Sequence, residues 1–347
     1  MTPRERPGGR PDGFPAATPG DTAAGPAPHT RTGSPGRHRV RAWAELLRLP
    51  ALFTVPGDAL AGTAASGARP TSRTLLAIAS SLCLYEAGMA LNDWADRDVD
   101  AVERPHRPLP SGRIRPTAAL TAAGALTGAG LALAARAGRP ALAVAAPLAA
   151  TVWAYDLGLK RTPAGPLAMG TARSLDLLLG AAATTGRTRE ALPSAALLGT
   201  HTLAVTTVSR QEAQGGPHLP PLAALATTTL LTRLVTRRPG TPADGRRHAT
   251  PRARTGLRPA RWPDPEPGVL LTTALGAVYA ATTARPYFHA TLNPSPPLTQ
   301  RAVGAGIRAT IPLQATLAAR SRGTATALLI TALAPLGARF AKKVSVT

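Results

Sequence analysis

The sequence predicts an all-α fold, a polytopic membrane bundle of about nine or ten helices. Three observations carry this prediction. Hydrophobic residues make up 44% of the 347 positions while aromatics make up only 3%, so the apolar content is chiefly Ala, Leu and Val. That content gathers into ten runs, several of them near the roughly 20 residues a spanning helix needs. Most of the charge falls in the short stretches between runs, as it does in the loops of membrane proteins. Ala-rich helices of a soluble bundle would share this composition, but ten runs in one chain favour the bilayer.

Residues 1–40 are rich in Pro, Gly, Thr and Arg and show no apolar period, which predicts a disordered tail. The tail has no apolar core of signal-peptide type, so secretion is not expected. The first run extends from Trp43 to Ala65 and contains Pro56, Gly57 and Asp58. The second, Thr74 to Leu91, feeds directly into an acidic stretch. The third to seventh runs follow at Pro116–Ala135, Pro140–Tyr155, Pro166–Thr185, Ala191–Val208 and Leu219–Val235. A segment dense in Arg, Pro and Gly, residues 236–267, then reads as a flexible linker. Further runs occupy Gly268–Ala284, Ala302–Ala319 and Thr324–Leu336. Together these runs give one membrane domain over residues 41–340 and a short tail over 341–347.

The formal net charge is +22, and lysine occurs only at positions 160, 342 and 343, so arginine carries nearly all of it. A basic balance can signal nucleic acid. Here the basic residues lie between apolar runs, without interleaved aromatics or a recognisable nucleic-acid module, so no nucleic-acid partner is expected. The single Cys83 excludes an intramolecular disulfide and a cysteine metal site, and its apolar setting reads as packing.

Residues 92–113 stand apart from everything around them. Four aspartates and an asparagine fall between Asn92 and Asp100. If the preceding helix continues through Asp100, side chains advance by about 100° per residue. With Asn92 at zero, Asp93 then lies near 100°, Asp96 near 40° and Asp100 near 80°, on one narrow face. Asp98 falls on the opposite side, and Glu86 projects close to Asp93. Three carboxylates on one face repel each other unless a cation lies between them, and carboxylate oxygens suit Mg²⁺. Arg104, Arg107 and Arg113 follow, on a stretch that prolines hold extended. Carboxylates able to hold Mg²⁺, followed by arginines, make a receptor for a diphosphate. A solvated acidic helix end beside a basic loop is the plainer alternative, and the apolar flanks weigh against it.

The pattern Asn92-Asp93-x-x-Asp96-x-x-x-Asp100, then Glu103-Arg104-Pro105-x-Arg107-Pro108-Leu109-Pro110-Ser111-Gly112, resembles the first Asp-rich motif of the UbiA superfamily of intramembrane prenyltransferases. The stretch Lys160 to Gly180, with Gly165-Pro166, Met169-Gly170, Arg173 and Asp176, resembles a divergent bacterial branch of that superfamily. The resemblance covers residues 41–340 and implies nine spanning helices. It also implies Mg²⁺ on Asn92, Asp93, Asp96 and Asp100, with Asp96 and Asp100 central to catalysis. Tyr155 and Lys160 would face the diphosphate; a lysine at this place is otherwise an interface anchor. The implied substrates are a polyprenyl diphosphate and an aromatic or other lipophilic acceptor, in a bacterial plasma membrane with the active site on the cytoplasmic side.

One departure stands out. Members of the superfamily carry a second acidic cluster after the sixth helix. Here that stretch is Val208-Ser209-Arg210-Gln211-Glu212-Ala213-Gln214-Gly215-Gly216, where only Glu212 is acidic and Arg210 replaces a negative residue. Arg210 is therefore assigned, with Lys160, a catalytic place at the diphosphate, and Glu212 is assigned to substrate binding. A UbiA-type protein that binds or moves a prenylated lipid without catalysis is the alternative function. A CDP-alcohol phosphotransferase, also intramembrane and Asp-rich, needs an order of Asp-Gly, Ala-Arg and spaced aspartates that does not occur.

Other ionisable residues inside apolar runs are Asp58, Arg173, Asp176, His201 and Arg308, and such residues mark polar cavities. Arg173 is a candidate for substrate binding; Arg173 and Asp176, three apart, could instead neutralise each other. His201 reads as a hydrogen-bonded core histidine. With the N-terminus inside, the basic loops 92–115, 156–163 and 209–218 all fall on the cytoplasmic side, and the Arg-rich linker falls outside, against the positive-inside rule.

Overall fold

Proline punctuates this chain. Nine of the described helices carry it in their first two positions, where its missing N–H costs nothing because those donors lack an intrahelical partner. The computed structural model describes residues 35–48, 53–237, 267–321 and 323–345, and no strand occurs among them. The helices are α1 (Pro35–Leu46), α2 (Val55–Ala65), α3 (Ser72–Ala95), α4 (Arg97–Glu103), α5 (Pro116–Ala137) and α6 (Arg139–Leu157). They continue with α7 (Gly165–Thr185), α8 (Leu192–Ser209), α9 (Leu219–Thr236), α10 (Pro267–Leu292), α11 (Pro296–Arg320) and α12 (Thr324–Ser345). Among the described residues, four segments are long and apolar enough to cross a membrane: α3, α5, α6 and Arg189–Ser209, which contains α8.

The first apolar run divides into α1 and α2, which separates its interfacial part from its buried part. α1 begins at Pro35, inside the stretch expected to lack structure. Its Ala42 and Leu46 are buried while Arg39 and Arg41 stay exposed, an amphipathic pattern that the Pro and Gly content of the tail conceals. α12 likewise runs to Ser345, into the expected C-terminal tail. Residues 1–34, 238–266 and 346–347, where the rest of the tails and the linker fall, lie outside the described residues.

With so little aromatic bulk, the helices pack through small residues, as in membrane bundles. α2, α7 and α11 form the centre, with Ala61, Leu177, Ala181, Leu313 and Leu317 buried together. A Cβ on Gly180 would strike the backbone of Ala59, and one on Gly62 would strike Leu177 O, so α2 and α7 approach to backbone contact. Short polar links tie neighbours together where no water competes. Ser80 Oγ donates to Gly130 O at 2.7 Å between α3 and α5. Trp153 Nε1 donates to Thr127 Oγ1 at 3.0 Å between α6 and α5. Thr184 Oγ1 joins Thr63 Oγ1 at 3.0 Å and Thr74 Oγ1 at 2.8 Å, linking α7 to α2 and α3. His201 is a buried core histidine, 3.1 Å from both Tyr279 Oη and Gly306 O. Cys83 is a free thiol, half-buried.

One end of the bundle collects the polar segments. The end of α3, α4, the loop 104–115, the turn Leu159–Arg161 and the stretch after α8 meet there. Lys160 reaches Asp96, Arg113 reaches Glu45 on α1, and Arg210 donates to Thr162 O.

Candidate active site

The helix expected to run through Asp100 breaks at Asp96, where φ −94° and ψ 2° leave the helical region and α4 starts afresh. The single acidic face is corrected accordingly: the turn deals its members out to different cations. Asp93 (5% exposed) and Asp100 (2% exposed) share Arg107, whose Nη1 lies 2.6 Å from Asp100 Oδ2 and 3.7 Å from Asp93 Oδ1. Arg104 adds a 3.5 Å pair to Asp100, and Arg48 a 3.1 Å pair to Asp93. Asn92 and Asp96 face Lys160 instead, with its Nζ 3.1 Å from Asn92 Oδ1 and 2.8 Å from Asp96 Oδ2. Burying like charges in a polar pocket is costly unless each carboxylate finds a cation, and a broken helix reaches more of them. Asp98 makes only a 3.5 Å pair with Arg97 and its side chain is 84% exposed, as the helical count placed it.

Two residues of this cluster escape sequence reasoning. Asp156 is buried at the end of α6, 3.9 Å from Lys160 Nζ, in a stretch, 156–163, that the sequence marks only as basic. Arg48 lies 45 residues before its partner Asp93, too far for any local pattern to pair them. The signal for Asp156 was present all the same: it lies four residues before Lys160, one helical turn away.

Three side-chain oxygens, from Asn92, Asp96 and Asp156, surround one ammonium. Lys160 Nζ thus stands in for a cation at the point where hard oxygen donors converge, and such donors fit Mg²⁺ by type. Among the described residues no three His, Cys, Asp or Glu side chains stand together as a metal site.

Beneath this rim opens a cavity of about 350 Å³. Arg48, Asn92, Tyr155 and Asp156 line its polar mouth. Leu84, Gly88, Leu148, Val152 and Met169 line its apolar middle. Ser81, Arg173 and Asp176 lie at its inner end. Arg173 pairs with Asp58 on α2, Nε to Oδ2 at 3.0 Å, and Asp176 accepts a hydrogen bond from Ser81 Oγ. Arg173 and Asp176, which the sequence left open as either a mutually neutralising pair or a substrate site, join a wider network across α2, α3 and α7, in which Asp58 lies nearer the guanidinium.

The remaining candidates are spread around the mouth. Arg113 is held by Glu45 at 2.6 Å and by His106 O at 2.7 Å, and is not brought to the carboxylates. Arg210 lies against the turn that carries Lys160, through Thr162 O. Glu212 stands near Arg104; burial pushes its carboxyl above the usual range and the Arg104 charge opposes that shift.

The sequence model of the UbiA prenyltransferase family matches residues 51–235, which hold the helices that build this cavity. The chain belongs to the UbiA prenyltransferase family. Among UbiA-type relatives, digeranylgeranylglyceryl phosphate synthase of Methanopyrus kandleri is 36% identical over 129 residues, covering 36% of this chain and 46% of the relative. The chain spans about half the length of the curated relatives it matches. Two solved UbiA homologues share the fold. The apo protein from Aeropyrum pernix K1 superposes with a TM-score of 0.55 at 17% identity, over 77% of this chain and 96% of that one. The Archaeoglobus fulgidus homologue bound to GPP and Mg²⁺ gives 0.53 at 16% identity, over 81% and 98%.

Proposed function

We propose that this UbiA-family chain transfers an isoprenoid chain from a polyprenyl diphosphate to an aromatic or other lipophilic acceptor, assisted by Mg²⁺. The observation that carries the reading is a ring of cations and carboxylates, Arg48, Arg107, Lys160, Asp93, Asp96 and Asp100, at the mouth of an apolar cavity. A prenyl diphosphate is amphipathic in the same sense, with a charged head and an apolar chain. The related Archaeoglobus fulgidus structure, bound to GPP and Mg²⁺, supports the same assignment.

In this reading Arg104, Arg107, Lys160 and Arg210 bind the phosphate oxygens, and Asn92, Asp96 and Asp156 would hold the metal with Asp93 and Asp100 beside them. When bound, Mg²⁺ offsets the negative charge that builds on the leaving diphosphate. Lys160 would yield its place among the oxygens and turn to the phosphate. Arg48 and Arg107 keep Asp93 and Asp100 paired meanwhile. The apolar walls, Leu84, Leu148, Val152 and Met169, exclude water from the allylic cation until the acceptor captures it. The protein would lie in the bacterial plasma membrane with this mouth towards the cytoplasm, residues 41–340 forming its membrane domain.

The alternative, a UbiA-fold protein that binds a prenylated lipid without turnover, is favoured by one observation. The first cluster is already neutralised by the chain's own cations, and Glu212 alone represents the second.

Binding of farnesyl diphosphate to the purified protein, titrated with Mg²⁺, tests the assignment. Asp96→Asn is expected to remove the Mg²⁺ dependence, and Asp98→Asn to leave it unchanged. Equal losses in both variants would mean that the pocket geometry does not govern binding. Release of diphosphate on adding acceptor then separates transfer from binding.

A further inference from the structure

The inner end of the cavity carries polar chemistry that diphosphate binding does not use. Ser81 and Asn92 both line the cavity, and 11 residues of α3 separate them, roughly 16 Å along the helix. The rim around Asn92 holds the charged head. The walls between are apolar, which suits a prenyl chain. The floor is not: Ser81, Arg173 and Asp176 meet there, with Asp58 and Gln314 behind them. Ionisable groups at membrane depth are costly and persist where they hold a ligand or one another.

Purely mutual satisfaction accounts for only the rear of this cluster. Asp58 and Gln314 are wholly buried; Gln314 Nε2 donates to Asp58 Oδ1 at 2.7 Å and to Thr54 O at 2.8 Å. Arg173 differs. Its side chain is 16% exposed, opening to the cavity, and only Nε and Nη2 are engaged, by Asp58 and by Thr54 O at 3.5 Å. Nη1 has no partner among the described residues. Beside it, the Ser81 hydroxyl spends its proton on Asp176 and keeps lone pairs free. The floor therefore offers one strong donor and one acceptor.

Charge selects the ligand. Two buried carboxyl groups, Asp58 and Asp176, already face the single guanidinium, so a further anion would find no uncompensated positive charge there. We propose that this inner end is a subsite for a neutral oxygen function, a carbonyl or hydroxyl, on the lipophilic acceptor, held by Arg173 Nη1 and, for a hydroxyl, also by Ser81 Oγ. An acceptor ring anchored there projects its far side towards the diphosphate at the rim. The proposal rests on the transferase reading only in assigning the ligand as the acceptor.

Probes that share one ring system and differ in oxygen test it: naphthalene, 2-naphthol and 1,4-naphthoquinone, measured by equilibrium binding to the full chain in detergent. The two oxygenated probes are expected to bind about tenfold tighter than naphthalene, the scale of one hydrogen bond to a charged donor. Arg173→Met is expected to bring both level with naphthalene. Ser81→Ala, which leaves the Arg173–Asp58 pair intact, should weaken 2-naphthol several-fold and spare 1,4-naphthoquinone, which cannot donate. Farnesyl diphosphate binding should stay unchanged in Ser81→Ala. Loss of both probes equally in Ser81→Ala, or an oxygen preference that survives Arg173→Met, overturns the subsite. If the wild type shows the oxygen preference but never binds farnesyl diphosphate, the transferase reading falls and the subsite stands.

Discussion

Arg107 makes a sharp energetic test of the rim. Its guanidinium lies 2.6 Å from Asp100 and 3.7 Å from Asp93, whose side chains are 3% and 6% exposed, while Arg107 itself is 23% exposed. Removing one partner of a buried ion pair costs about 3–5 kcal/mol, because the other charge stays buried and uncompensated. Here the loss is softened: Asp100 keeps Arg104 at 3.5 Å and Asp93 keeps Arg48 at 3.1 Å, both on partly exposed arginines. A loss of about 2 kcal/mol is therefore expected for Arg107→Met, a fall in Tm of about 3 °C for a domain of this size. The assay is thermal unfolding in detergent, followed by tryptophan fluorescence. Arg113→Met is the control, since its pair with Glu45 has the same 2.6 Å separation but is over a third exposed on both sides. Such a pair contributes about 0–1 kcal/mol. Adding Asp100→Asn to Arg107→Met should recover more than half of the loss, because it removes the stranded charge. Arg107→Met costing no more than Arg113→Met, or no recovery in the double variant, would refute the argument that burial sets the energetics of this rim.

Two other expectations concern topology and the second acidic cluster. Cysteines introduced at Ser111 and Ser209 in a Cys83→Ser background should both resist an impermeant thiol reagent applied to intact cells; labelling of just one would place the two motifs on opposite faces. Arg210→Ala should weaken farnesyl diphosphate binding by about tenfold or more, the scale of a charged hydrogen bond, and exceed the effect of Glu212→Ala. Two cooperative Mg²⁺ sites, one of them lost in Glu212→Ala, would instead restore the second cluster to metal binding.

The sequence was most informative where its signal was local. Apolar runs punctuated by proline gave the helices, because periodicity and capping act within a few residues. The spacing from Asn92 to Gly112 marked the charged rim, and the exposed Asp98 stood out by its angle alone. It misled at Asp96, where the helical count assumed a continuous helix. There the backbone breaks to reach Arg107 from one side and Lys160 from the other, and those partners lie 11 and 64 residues on.

Composition and local pattern thus determined that the chain is helical, has segments apolar enough to span a membrane, and is densely charged at one place. Only the tertiary structure decided which cation holds which carboxylate, that Asp156 and Arg48 join the rim, and that Arg173 turns to Asp58 across 115 residues of chain. The physical reason is that ion pairing depends on distance through space, and in a bundle joined by backbone-close contacts such as Gly180 on Ala59 that distance is set by packing between helices remote in sequence.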